Sequence, residues 1–111
     1  MRLDYSELTM SEGLELYYED VPFTGESVDL GEDDELLELN RYRNGHEEGL
    51  QQGWYADGGR RYEYWIINDR LCGYSYDWHP NGQLARRQLF NRFGEMTKHE
   101  HWAEDGSVEP Y

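Results

Sequence analysis

The chain repeats itself every 24 residues, and a period of that length marks an array of like modules rather than a single irregular globule. Trp54, Trp78 and Trp102 stand one period apart, and each is followed four residues later by a glycine, Gly58, Gly82 and Gly106. Gly25, Gly49 and Gly73 keep the same spacing, as do Tyr18, Tyr42, Ile66 and Phe90. The phase divides 111 residues into an N-terminal lead, 1–17, and four units, 18–41, 42–65, 66–89 and 90–111, read together as one repeat domain.

Each unit carries the signals of a β-hairpin. Short aromatic-rich segments are separated by Asp57-Gly58, Asn81-Gly82 and Asp105-Gly106, pairs that tolerate the positive φ angles of tight turns. Asp33-Asp34 holds that phase in the first unit without a glycine, so a looser loop is expected there. A second set of connections falls half a period away, at Asp20-Pro22, Asn44-Gly45, Asn68-Asp69 and Phe93-Gly94. The expected strands are 14–18, 24–30, 36–43, 49–56, 60–67, 73–79, 83–90, 97–103 and 107–110. Residues 35–42 read locally like a helical turn, but their phase matches strands elsewhere and assigns them to the sheet.

Alternation puts Leu50, Trp54, Tyr74, Tyr76, Trp78 and Trp102 on one face, and Gln51, Gly53, Ser75, Asp77, His99 and His101 on the other. Two-residue Asp-Gly turns would pair Trp54 with Arg61 and Trp78 with Ala85, bringing Trp65 and Leu89 to the aromatic face. The expected fold is all-β: an elongated, single-layer antiparallel sheet of stacked hairpins, four units of about 24 residues, with eight or nine strands about 4.8 Å apart giving a length of roughly 35–40 Å. Aromatic residues make up 15% of the chain, so rings, not aliphatic layers, carry its apolar surface.

Charge is the second constraint. Acidic side chains number 24 against 10 basic ones, for a net charge of −14, and −11 of it lies in residues 1–41. Such a surface repels phosphate backbones and anionic membranes, which argues against nucleic acid and lipid and favours a basic protein partner. The single cysteine, Cys72, allows no intramolecular disulfide and fits a reducing compartment. With no apolar leader or spanning segment in the sequence, the expected location is cytoplasmic.

Tyr42-Arg43-Asn44-Gly45, then Gly49, then Trp54-Tyr55-Ala56-Asp57-Gly58 resembles a MORN repeat, a hairpin module. Trp78-His79-Pro80-Asn81-Gly82-Gln83-Leu84 is similar to its bacterial variant, the YwqK-type antitoxin family, and Tyr17-Tyr18 with Pro22-Phe23-Thr24-Gly25 resembles that family's entry unit. The likeness spans residues 14–110. It implies stacked MORN-like hairpins and an immunity or antitoxin protein that neutralises a bacterial toxin by binding it. The chain departs from the pattern at its first turn, which lacks glycine, and at Asn68-Asp69-Arg70, where a bulged or lengthened connection is expected.

Catalytic and metal chemistry find little support in the residues. His99 and His101 share a strand face, with Asp77 as a conceivable third ligand, but no Cys or second spaced pair joins them, so no metal is expected. Cys72 has no His or Asn companion in phase, and no glycine-rich loop leads into a helix, so neither enzyme activity nor a cofactor is expected. The residues assigned to partner binding are the carboxylates Asp29, Glu32, Asp33, Asp34 and Glu35, for steering, and Trp54, Tyr74, Tyr76, Trp78 and Trp102, as apolar anchors. The partner so described is a cognate toxin with a basic surface. The alternative is a MORN-type scaffold or membrane-contact module without a toxin. The chain is expected to be a monomer or a weak homo-oligomer through terminal strands.

Overall fold

A computed structural model describes residues 1–109. Its strands are β1 (Arg2–Asp4), β2 (Thr9–Met10), β3 (Leu16–Tyr18), β4 (Val21–Pro22), β5 (Gly25–Leu30), β6 (Leu36–Arg43), β7 (His46–Glu47), β8 (Gly49–Trp54), β9 (Arg60–Ile67), β10 (Arg70–Leu71), β11 (Gly73–Trp78), β12 (Leu84–Phe90), β13 (Met96–Trp102) and β14 (Val108–Glu109). The chain is all-β, and the strands fall in the expected phase, including residues 36–43. Of the last expected strand, 107–110, residue 110 lies outside the described residues.

The large sheet runs β1-β5-β6-β8-β9-β11-β12-β13-β14, with β7 and β10 attached to β6 and β9. From β5 to β14 every neighbour is antiparallel, so the repeat builds the hairpin ladder that its turns encode. The lead departs from a single antiparallel layer in two ways. Strand β1 adds to β5 in parallel, Arg2 opposite Glu26, and β2-β3-β4 form a separate three-stranded sheet. That small sheet meets the turn of the first long hairpin at Gly45, whose carbonyl accepts from Leu16 and whose N–H donates to Phe23, both at 2.8 Å. The molecule measures 48 × 39 × 21 Å.

The turns correct one expectation while preserving its consequence. Six loops, 11–15, 31–35, 55–59, 79–83, 91–95 and 103–107, share one pattern: the first N–H reaches the fifth carbonyl and the fourth N–H returns to the first carbonyl, at 2.8–3.0 Å. The fourth residue is left-handed in all of them, with φ between 61° and 93° at Leu14, Asp34, Gly58, Gly82, Gly94 and Gly106. Asp57-Gly58 is therefore not the centre of a two-residue turn; Gly58 closes a three-residue loop. The longer loop pairs Trp54 with Arg60 and Trp78 with Leu84, not with Arg61 and Ala85. A bulge beside each tryptophan then takes up one residue, so Leu50 faces Trp65 and Tyr74 faces Leu89 as a two-residue loop would give.

Neither irregular position behaves as expected. The Asp33-Asp34 loop closes with the same two hydrogen bonds as the glycine loops, because Asp34 itself takes φ 61°. Asn68-Asp69 is no longer than Asn44-Gly45. Both residues of each pair have positive φ, 52° and 64° against 50° and 87°, the signature of a two-residue hairpin turn that Asn and Asp tolerate.

The core is small and sits toward the first unit. Leu16, Phe23, Val28 and Leu39 are buried there, with Trp78 further along, and Ser27 and Gln51 are the buried polar residues. Gln51 repairs a break in the ladder. Between β7 and β8 the pairing with β6 slips by two residues around Glu48 and the left-handed Gly49 (φ 95°). The Gln51 amide turns back into the gap, accepting from the Arg41 N–H at 2.7 Å and donating to the Arg41 carbonyl at 2.9 Å. One side chain thus stands in for a missing backbone partner, which buried N–H and C=O groups require.

Candidate functional site

Directly opposed residues share a face, so the registers define both surfaces of the large sheet. One face carries Trp54, Trp65, Tyr74, Tyr76, Trp78, Leu89 and Trp102, as expected from alternation and the turns, and the register adds Arg87 opposite Tyr76. Its rings stack in a row, Tyr74 on Tyr76 at 5.8 Å and Tyr76 on Trp78 at 5.7 Å between centroids. Arginines cap the stack: Arg60 lies 4.4 Å from the Trp78 ring, and Arg87 lies between Tyr74 and Trp102 while pairing with Glu100 at 2.7 Å.

Exposure divides the tryptophans and tyrosines assigned to partner binding. Trp78 is 8% exposed and serves packing, whereas Tyr74 is 38% exposed and Trp65, which sequence reasoning left out of the site, is 46% exposed. Trp54, Tyr76 and Trp102 are half-buried. The tryptophan row is also held from its edge. Tyr55 donates its hydroxyl to the Trp78 carbonyl at 2.6 Å, and one period later His79 Nε2 lies 2.8 Å from the Trp102 carbonyl. Gly31 occupies the equivalent position in the first unit and has no side chain to make this strap.

The second face is aromatic too, which corrects the expectation of rings on one surface alone. Phe23 and Tyr42 lie 6.0 Å apart, and Tyr62 stacks on Tyr64 at 5.8 Å. The Tyr62 ring lies across Gly53, where a Cβ would collide with it, and its hydroxyl donates to Glu38 at 2.7 Å. Tyr64 donates to Glu47 at 3.4 Å. Burial, followed by the nearby carboxylates, pushes Tyr64 up to about 12 and Tyr42 and Tyr62 higher still. Burial likewise raises the Glu47 carboxyl.

The carboxylates assigned to steering lie together at the first unit. Glu32, Asp33 and Asp34 are exposed on the tip of the β5–β6 hairpin, and Glu35 folds back to accept the Asp33 N–H at 2.9 Å. Asp29 is exposed but belongs to the second face, opposite Glu38, so it is not on the surface that carries the tryptophans. Among the described residues none of these carboxylates forms an ion pair, whereas Asp77 is bound by Arg86 at 2.8 Å and Glu100 by Arg87. The tip is on the same edge as the loops 55–59, 79–83 and 103–107, which border the tryptophan row.

His99 and His101 meet through their Nε2 atoms, rings near perpendicular. Burial, then His101 and Arg86, lowers the pKa of His99. Asp77 does not join them, being held by Arg86. Among the described residues no group of three His, Cys, Asp or Glu side chains is placed to hold a metal ion, and no helix is long and apolar enough to cross a membrane. No family model matches the chain, and neither does any curated protein or solved structure.

Proposed function

We propose that this chain is an immunity or antitoxin protein of the MORN-like kind, which binds a basic toxin through its acidic first unit and the aromatic face of its sheet. The observation that carries the reading is the hairpin tip: Glu32, Asp33, Asp34 and Glu35 stand at the end of the paired strands β5 and β6, and among the described residues none of the four forms an ion pair. Carboxylates meant only to keep a sheet soluble work equally well when spread over it. Gathered at one end, they set up a directional field that accelerates encounter with a cationic surface. Trp65 and Tyr74, open on a face with no second layer over them, supply the area that slows release.

The reading assigns the chain no catalytic step; its chemistry is complementarity of charge and shape. Toxins that act on nucleic acids or nucleotides carry cationic clefts for their substrates, and a carboxylate hairpin tip is a steric and electrostatic match for such a cleft. The test is protection in cells. Expressing the product of the neighbouring gene is expected to arrest growth, and co-expressing this chain is expected to relieve the arrest. A version carrying Glu32→Gln, Asp33→Asn and Asp34→Asn should protect less well. No rescue by the native chain, together with its binding to anionic vesicles at physiological salt, would point to a membrane-contact module instead.

A further inference from the structure

Two seams of the large sheet repeat one another residue for residue. At the first, β6 pairs with β7 and then, past the slip, with β8 through Glu38–Gly53 and Leu39–Gln52. At the second, 24 residues on, β9 pairs with β10 and then with β11 through Tyr62–Asp77 and Glu63–Tyr76. The main-chain bond beside each slip is also the same. Glu48 N–H donates to the Arg41 carbonyl at 2.9 Å, and Cys72 N–H donates to the Trp65 carbonyl at 3.0 Å.

The side chains across the two seams differ. The first is clamped on both faces: Gln51 grips the Arg41 main chain on one, and on the other the Arg41 guanidinium donates to the Leu50 carbonyl at 2.6 Å and to Gln52 at 3.2 Å. The second has Ser75 in place of Gln51 and Trp65 in place of Arg41. A serine is too short to span the gap, and an indole brings no fork of donors. Among the described residues no side-chain hydrogen bond joins β9 to β11. Packing does not fill the slip either, since a Cβ on Gly73 would meet nothing within 4 Å. What fastens this seam lies at its other end, where the Tyr55 hydroxyl holds the Trp78 carbonyl and Arg60 lies over the Trp78 ring.

We infer that the β9–β11 seam is a hinge, opening at its Gly73 end while its Trp78 end stays fastened. Local opening starts where few bonds close a segment, and the repeat shows which bonds this seam has lost. Trp65 on β9 and Tyr74 on β11 border it from either side, so the motion changes the spacing of two open rings on one face and lets that face meet surfaces of different curvature. The device belongs to the sheet itself and does not depend on the identity of the partner.

The test is native-state hydrogen exchange of the full chain, read amide by amide by NMR and corrected for intrinsic rates. Cys72 is expected to exchange at least about tenfold faster than Glu48, its equivalent one period earlier, while Tyr76, in the paired stretch of the same seam, stays protected. The lead also bonds to the β6–β7 turn, so a variant separates its protection from that of the clamp. Ser75→Gln installs the missing amide and should slow Cys72 by at least about tenfold, leaving Gly58 and Gly106 in distant loops unchanged. Should that variant fail to fold, Gln51→Ser carries the test from the other side, and Glu48 should then exchange about as fast as Cys72. Cys72 as slow as Glu48 in the native chain, Tyr76 exchanging together with Cys72, no response of Cys72 to Ser75→Gln, an even slowing over the whole sheet, or no response of Glu48 to Gln51→Ser would each overturn the hinge.

Discussion

Left-handed positions and one buried amide carry most of the strain and repair at the scale of single residues. Four of the six three-residue loops place glycine at the left-handed position, but Leu14 and Asp34 adopt it with φ 63° and 61°. A side chain there costs about 1–2 kcal/mol, less for aspartate, and glycine returns part of that gain through a freer unfolded chain. Leu14→Gly is therefore expected to stabilise the fold by about 0.5–1 kcal/mol, since a side chain 76% exposed has little burial to lose. Asp34→Gly should give a smaller gain, and urea midpoints measure both. Gln51 behaves oppositely. Gln51→Ala strips the Arg41 N–H of its partner, while the Arg41 carbonyl keeps the Glu48 N–H at 2.9 Å, and should cost about 1–3 kcal/mol, on the scale of one buried unsatisfied group. The sequence gives no hint of this role: a glutamine on an alternating strand reads as an ordinary polar residue, and only the two-residue slip of register creates the gap that its amide fills.

Among elements, the strands were legible because phase is a long-range signal that survives local ambiguity, as at residues 36–43. Turn geometry was not, because an Asp-Gly pair suits both a two-residue turn and the end of a three-residue loop; the compensating bulge depends on pairing that no local motif reports. The lead was least legible. Without a period in residues 1–17, nothing announced that β1 would pair in parallel or that β2-β3-β4 would form a second sheet. Alternation places Gly53 on the face away from the tryptophans and says no more of it, yet its bare Cα is the seat of the Tyr62 ring. The hairpins are further tied across units by Tyr55 and His79, whose chemistry is ordinary and whose meaning comes from reaching the following tryptophan's carbonyl. Tyr55→Phe removes one such bond of 2.6 Å and is expected to cost about 1 kcal/mol. Hydrogen exchange should show the loosening concentrated in the 79–83 loop; an effect spread evenly over the sheet would refute the strap.

For the whole molecule, the two faces predict different responses to solution conditions. Tyr42, Tyr62 and Tyr64 hold their protons more firmly in the fold than in the open chain, where tyrosine titrates near about 10. The folded state then binds more protons than the unfolded state at alkaline pH, so stability falls as pH rises. The loss should begin near the unfolded value and continue through about 12, where Tyr64 titrates. Tyrosinate absorbance is expected to show these three rings ionising after the exposed ones or together with unfolding; a single transition near about 10 would contradict their burial. The charge distribution concerns association instead. With −11 of −14 charges in the first 41 residues, encounter with a basic partner should be fast at low salt and slow steeply with screening. The most direct measurement is the association rate of the partner isolated from the native host, against the native chain and its Glu32→Gln, Asp33→Asn, Asp34→Asn variant, from low to high salt. The native rate is expected to fall by at least about tenfold and the variant's to start lower and fall less; equal rates, or a native rate indifferent to salt, would contradict an acidic hairpin built to meet a basic surface.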